Sequence, residues 1–209
     1  MPQHNLNRAF LMLLLAFGVF LAGSYALIYV IKPSESTHPS ANRISMDAPP
    51  GGDFTLNSPN GAVSLSDFEG KLVLAYFGYT FCPDICPTNL GNLSLAYRQL
   101  SDEHKQDLQI LFISVDPERD TPQRLQQYVD YFDANMIGLT GSADTLAEIA
   151  SRYGVVYEKV EDGSENYAVD HSAFTYIIDQ QGQLREQLQH AVGPEVFIDA
   201  INRYLSYPQ

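Results

Sequence analysis

The sequence contains no tryptophan, only two cysteines, and 12 Lys and Arg against 25 Asp and Glu. The missing tryptophan excludes a redox motif that sets that residue beside its thiols. The scarcity of cysteine excludes a disulfide-built scaffold. None is needed, because a chain of 209 residues can bury a sufficient core. The scarcity of basic side chains excludes a phosphate-binding face, so nucleic acid is not an expected partner. Internal repeats and long low-complexity tracts are also missing, which leaves one domain plus an appendage.

The appendage is residues 9–31, a run without a formal charge. At 1.5 Å per residue it reaches roughly 35 Å, enough to cross a hydrocarbon core of ~30 Å. A cleaved signal peptide would carry an apolar core of only ~7–15 residues. Ala22-Gly23-Ser24 would suit cleavage, but the apolar run continues through Ile31. The sequence therefore predicts an uncleaved transmembrane anchor over 9–31, with a cytoplasmic tail over 1–8 and a linker over 32–52. Arg8 and Lys32 flank the anchor and are the only charged side chains before Pro33. The remaining 10 Lys and Arg therefore face all 25 Asp and Glu, giving the exported part a formal charge of −15. Such a surface favours solubility, and attracts cations or a basic protein patch.

The two cysteines stand together, in Phe77-Gly78-Tyr79-Thr80-Phe81-Cys82-Pro83-Asp84-Ile85-Cys86-Pro87. Two thiols four positions apart can close a short disulfide or clamp a soft metal ion. Outside the cytosol, thiols drift to disulfide unless a reductant reaches them. A purely structural bridge explains this pair poorly, because so small a loop constrains the unfolded chain little. On one helical face their Cα atoms would lie roughly 6 Å apart, inside the disulfide range and within reach of one ion. A helix N-terminus favours thiolate, which Asp84 between the cysteines would oppose.

The pattern predicts a hairpin over 53–56 and 62–65 across Asn60-Gly61, then a strand over 72–77, apolar throughout and so buried on both faces. A helix follows over 88–100, and a second buried strand over 108–115. Thr121-Pro122 opens a helix to about 133. Residues 136–140 read as a short strand. Ser142 caps a helix that ends near Gly154, and 155–160 is strand-like. A hairpin over 174–178 and 183–189 and a helix over 195–206 complete the chain. The class is α/β, a mixed sheet covered by helices. The cysteines fall at the carboxyl end of a central strand, where open sheets build sites. The charged segment Asp116-Pro117-Glu118-Arg119-Asp120-Thr121-Pro122 should face the same edge. Its Asp116 could orient the site or satisfy loop amides.

A metal would need more than two thiols. Of five histidines, His4 precedes the anchor, His38 lies in the linker and His104 in a polar helix end. His171 and His190 are comparable candidates by position. Either, with two thiolates, makes a soft three-ligand set that suits Cu(I), and neutral polar ligands could complete a Cu(II) site. Met46 and Met136 are further soft donors.

Gly70-Lys71, the cysteine segment, Val115-Asp116-Pro117-Glu118-Arg119-Asp120-Thr121-Pro122 and Tyr167-Ala168-Val169-Asp170-His171-Ser172 together resemble the Sco/SenC family of membrane-anchored copper proteins. The resemblance spans residues 48–204. It implies a thioredoxin-like fold for 53–209, with copper held by Cys82, Cys86 and His171; it thus selects His171 over His190. Asp84, Asp116 and Asp170 become the supporting candidates. It implies a role in building the dinuclear copper centre of cytochrome c oxidase, by copper delivery or by reducing the recipient's cysteines. The implied partners are the copper-bearing oxidase subunit and other periplasmic copper chaperones or thiol reductants. The implied place is a bacterial inner membrane, crossed once, with the domain in the periplasm. The cysteine spacing differs from the two-residue gap of thioredoxin itself. A thiol–disulfide oxidoreductase, with Cys82 attacking and Cys86 resolving, is the rival reading. A copper or redox sensor is a weaker one, because no output domain is apparent.

Overall fold

Two apolar runs set the centre of the molecule. In this computed structural model, which describes residues 49–160, 163–164 and 166–206, Leu72–Gly78 (β3) and Leu108–Ser114 (β4) are buried at every position. They pair in parallel, Leu72 beside Leu108 through Gly78 beside Ser114. Strands covered on both faces need no polar alternation, which is why both read as unbroken apolar runs. Met136–Leu139 (β5) adds in parallel to β4. Thr175–Ile178 (β8) and Leu184–Leu188 (β9) extend the other side antiparallel. The sheet order is β5-β4-β3-β8-β9. The described residues fall within one unit, Ala48–Gln209.

Helices flank this mixed sheet, as the sequence predicts. Ile85–Gln99 (α1) packs against Pro194–Ser206 (α5). The short Asp102–Gln106 (α2) leads into β4. Pro122–Asp130 (α3) lies on β5. Thr121 caps it by accepting the Arg124 amide, and Pro122 stands at the first turn, where its missing N–H costs nothing. Ala143–Tyr153 (α4) is capped by Ser142 and stopped by Gly154, whose φ of 68° is the left-handed conformation of a helix C-terminus. Two small antiparallel pairs stand outside the main sheet: Thr55–Ser58 (β1) with Gly61–Ser64 (β2), and Tyr157–Lys159 (β6) with Val169–His171 (β7).

Several boundaries differ from expectation. The first hairpin starts at Thr55, because the Asp53 carboxylate accepts the Phe54 and Ser66 amides and bends the chain there. Leu65 opens a 3-10 turn, Leu65–Phe68, instead of ending β2. The helix after the cysteines begins at Ile85, three residues early, so Cys86 is helical and Cys82 is not. The polar stretch around His104 is a separate helix, α2. The strand β7, which carries His171, has no counterpart in the sequence reading. The anchor at 9–31, the tail, most of the linker, His4, His38 and Met46 lie outside the described residues. Among the described residues no helix is long and apolar enough to cross a membrane.

Helix α3 approaches β5 through a glycine. A Cβ on Gly138 would lie 2.6 Å from Leu125 Cβ and 2.8 Å from its carbonyl carbon. The Leu125 backbone on one side, and the pairing of this edge strand with β4 on the other, leave little freedom to relax. Gly138→Ala is therefore expected to destabilise the fold by about 1–3 kcal/mol, the usual cost of overpacking. Urea denaturation should show a lower midpoint, and an unchanged midpoint would show that α3 can shift.

Candidate metal centre

The parallel strands β3 and β4 end at the same edge, and three segments meet there. The first is the Tyr79–Asp84 loop, which leaves β3 and enters α1. Its conformation is set by Asp120, which accepts the Thr80 amide at 3.1 Å and the Thr80 hydroxyl at 2.6 Å. The Ser114 hydroxyl, at the end of β4, donates to the same carboxylate at 2.8 Å. Burial raises the Asp120 pKa, and the bonds from Thr80 and Ser114 oppose that rise. The second segment is the loop after β4, containing Asp116 and Asp120. The third is the β6–β7 hairpin, in which His171 pairs with Tyr157.

The hairpin is fastened to the other two segments. The Val169 amide donates to the Tyr79 hydroxyl at 3.2 Å. The Tyr167 hydroxyl donates to Asp116 at 2.7 Å. Arg119 bonds Asp116 through Nε and lies 3.5 Å from the Tyr167 ring centroid and 4.6 Å from that of Phe81. A guanidinium between two aromatic faces is favourable by roughly 0.5–1 kcal/mol per contact. It joins the ring beside Cys82 to the ring that leads into β7.

The result is one group of three donors. Cys82 Sγ, Cys86 Sγ and a ring nitrogen of His171 all lie within 4.8 Å of one another. Cys86 Sγ and His171 Nε2 are 3.4 Å apart. The sulfurs are unbridged. Gly78 makes room for them: a Cβ there would sit 2.7 Å from Cys86 Sγ. His171 Nδ1 lies 3.3 Å from the Ser172 carbonyl, so a proton on Nδ1 leaves the Nε2 lone pair facing the sulfurs.

The two thiols are not equivalent. The Cys82 thiol is held well below its ordinary pKa, foremost by a hydrogen bond from the Cys86 thiol. The amides of Cys86 and Asp84 add to this, as does His171 in the tautomer that carries its proton on Nε2, and together they outweigh burial. The Cys86 thiol is pushed up, because it keeps its proton in that bond and is completely buried. Cys82 is 7% exposed, so it is the more open of two buried sulfurs and not a surface thiol. Burial also raises the Tyr76 phenol above its usual range.

The supporting carboxylates divide. Asp116 is buried and holds Tyr167 and Arg119, two steps from the donors. Asp84 is exposed and accepts the Thr88 hydroxyl at 3.2 Å. Asp170 is exposed on β7, its side chain opposite in alternation to those of its neighbours. Neither Asp84 nor Asp170 is brought into the donor group. His190 follows β9, has a buried Nδ1 without a partner, and is not part of the group. His104 belongs to α2, and Met136 pairs with Ile110 inside the sheet. Asp120, Tyr79 and Gly78 build the site without having been singled out by residue type. The signal for Asp120 lay in the charged segment after β4.

The SCO1/SenC family model matches residues 43–206. The chain belongs to the SCO1/SenC family. A SCO2-like protein of Rickettsia conorii is 36% identical over 184 residues, covering 87% of this chain and 88% of that protein. The copper-bound structure of ScoI from Bradyrhizobium japonicum superimposes with a TM-score of 0.67 at 37% identity, covering 74% of this chain and 98% of that one. BsSco, a member of the Sco family of cytochrome c oxidase assembly proteins in which a disulfide switch has been identified, gives 0.60 at 25% identity, covering 75% and 94%.

The asymmetry of the thiols is measurable in the metal-free protein. An ordinary thiol has a pKa of ~8.5, so its alkylation slows roughly tenfold per pH unit well below that value. Iodoacetamide is expected to modify Cys82 before Cys86 and to hold its rate from pH 8 to pH 6. A rate that falls in step with proton concentration over that interval would contradict the lowered pKa.

Proposed function

We propose that this SCO1/SenC chain is a copper-binding metallochaperone that helps assemble the dinuclear copper centre of cytochrome c oxidase. Its ligands are Cys82, Cys86 and His171. The reading rests on one observation, the convergence of two sulfurs and an imidazole within 4.8 Å. Two thiolates and one imidazole form a soft set suited to Cu(I). Structural zinc normally takes four protein ligands, and three are present among the described residues. Copper-bound ScoI, at 37% identity, supports the choice of metal. The assembly role of BsSco supports the oxidase, through its copper-bearing subunit, as recipient.

In this reading the residues divide the work. Cys82 supplies a sulfur already disposed to lose its proton. Cys86 must release its own proton to bind the ion, so loading depends on pH. His171 Nε2 closes the third side, oriented by Ser172. The anchor at 9–31 tethers the domain to the bacterial inner membrane, with its acidic surface in the periplasm.

A second reading is favoured by the unequal thiols. As a thiol–disulfide reductant, Cys82 thiolate would attack a sulfur of the recipient's oxidised pair. The recipient S–S bond breaks, one sulfur leaves as thiolate and a mixed disulfide forms. Cys86 then loses its proton and attacks Cys82 Sγ, releasing the second recipient thiolate. This chain ends as the disulfide, two electrons having passed to the recipient. The disulfide switch identified in BsSco accords with such a cycle. The reduced protein is expected to reduce an oxidised oxidase copper-site fragment, with Cys82→Ser inactive. Failure of the unaltered protein to do so would remove the reductase reading.

The metallochaperone reading is tested by loading the reduced protein with Cu(I) and Cu(II). Loss of an inner ligand should exceed the ~10–100-fold loss seen for outer partners. His171→Ala is therefore expected to lower affinity by more than about tenfold. Unchanged stoichiometry and affinity would remove His171 from the site. Complementation of a deletion strain separates the roles: loss with both His171→Ala and Cys82→Ser implicates copper, and loss with Cys82→Ser alone favours thiol chemistry.

A further inference from the structure

Tyr76 lies in the middle of β3, in register with Phe112 on one side and Thr175 on the other. It is completely buried, and its hydroxyl forms no hydrogen bond of good geometry, with only a weak contact to the Cys86 thiol. A buried hydroxyl without a good partner carries a desolvation penalty that phenylalanine would avoid at the same volume. The ring itself is well held. It stacks on Phe112 with centroids 6.3 Å apart and meets His171 edge-on at 6.2 Å.

The ring also borders the sulfur. Gly78 stands two residues on, on the same face of β3. A Cβ at Gly78 would lie 2.7 Å from Cys86 Sγ and 3.1 Å from Tyr76 Cε1, so sulfur and phenol share one small space. The hydroxyl of Tyr76 meets Cys86 both electrostatically and through a side-chain hydrogen-bonding contact, and interacts with Cys82 only electrostatically. The Thr175 hydroxyl, beside Tyr76 in register, is already engaged by Asn89 at 3.0 Å. A protonated thiol is a weak acceptor, whereas a thiolate is a strong one whose hydrogen bonds are charge-assisted.

We propose that Tyr76 is a positioning residue for the metal centre, its hydroxyl donating a hydrogen bond to Cys86 Sγ when that sulfur is a metal-bound thiolate. The proposal rests on the copper reading above. It turns the weak contact between the hydroxyl and a protonated thiol in the metal-free protein into a charge-assisted hydrogen bond. Donation to the sulfur withdraws electron density from the thiolate, lowering its lone pairs relative to the metal. Tyr176 supplies the comparison, since its hydroxyl is also buried without a partner while its ring lies against Phe77 and does not interact with the cysteines.

The test uses the full chain, reduced and loaded with Cu(II), whose thiolate-to-copper charge-transfer band reports on the sulfurs directly. Tyr76→Phe is expected to load with unchanged stoichiometry and to move the band to longer wavelength. The denaturation midpoint of its metal-free form should be equal or higher, because a poorly paired hydroxyl has gone. Tyr176→Phe should leave the band in place. An unshifted band in loaded Tyr76→Phe, or an equal shift in Tyr176→Phe, overturns this inference alone. If the unaltered protein takes up no copper, the copper reading falls and this inference falls with it.

Discussion

One buried carboxylate fixes the geometry of the whole edge. Asp120 is 1% exposed and is bonded by the Thr80 amide, the Thr80 hydroxyl and the Ser114 hydroxyl. A carboxylate in that position is tolerable only when donors surround it. The three donors come from the cysteine loop and from the end of β4, so satisfying the charge also clamps the loop to the sheet. Asp116, in the same turn, does the equivalent for the hairpin through Tyr167 and Arg119. One short segment thereby holds both halves of the donor group, although it supplies no donor. The charged run after β4 is a brace, and its cost in burial is offset by the bonds that shape the site.

Within that brace the sulfurs have unequal starting points. Cys82 is disposed towards thiolate and Cys86 towards thiol, joined by one shared proton. A metal ion and a disulfide both require the second proton to leave, and they exclude each other. The proposed function therefore implies separate states: bridged, reduced and loaded. Reduction must come before loading, since a bridged pair offers no thiolate. The oxidising compartment proposed for the domain makes that order matter, because the bridged state forms there unless a reductant intervenes. The two proposed activities, copper delivery and thiol reduction, would in this sense be two exits from the same reduced state.

The parts of the fold that could be read from sequence were those whose signal is local. β3 and β4 are apolar along their whole length, Thr121-Pro122 and Ser142 cap helices by their own chemistry, and Gly154 stops one by its φ. The cysteines lay visibly at a strand end. What escaped was anything defined by a distant partner. β7 is three residues long, and it exists because it pairs with β6. Position alone ranked His171 and His190 equally; the family resemblance separated them, and of the two the structure brings His171 to the sulfurs. Asp170 and Asp84 looked supportive because they adjoin candidate donors in sequence, yet strand alternation and an exposed helix cap turn them outward. Tyr76 was hidden for the opposite reason, as one more apolar position in a buried strand.

The separation of the donors along the chain explains what the fold adds. Cys82 and Cys86 are neighbours in any conformation, and an unfolded chain could still offer both to a soft ion. His171 lies 85 positions beyond Cys86. Each doubling of loop length costs about 0.6 kcal/mol, so recruiting this imidazole from an unfolded chain would cost roughly 2–3 kcal/mol more than recruiting the second thiol. The folded domain removes that cost by fixing β7 through Tyr79 and Tyr167. An ion held by all three ligands therefore favours the native state, whereas one held by the thiols alone barely distinguishes native from unfolded. With the proposed ligands, the imidazole, more than the cysteines, ties occupancy of the centre to the intact fold, and the bonds that fasten the hairpin set how strong that tie is.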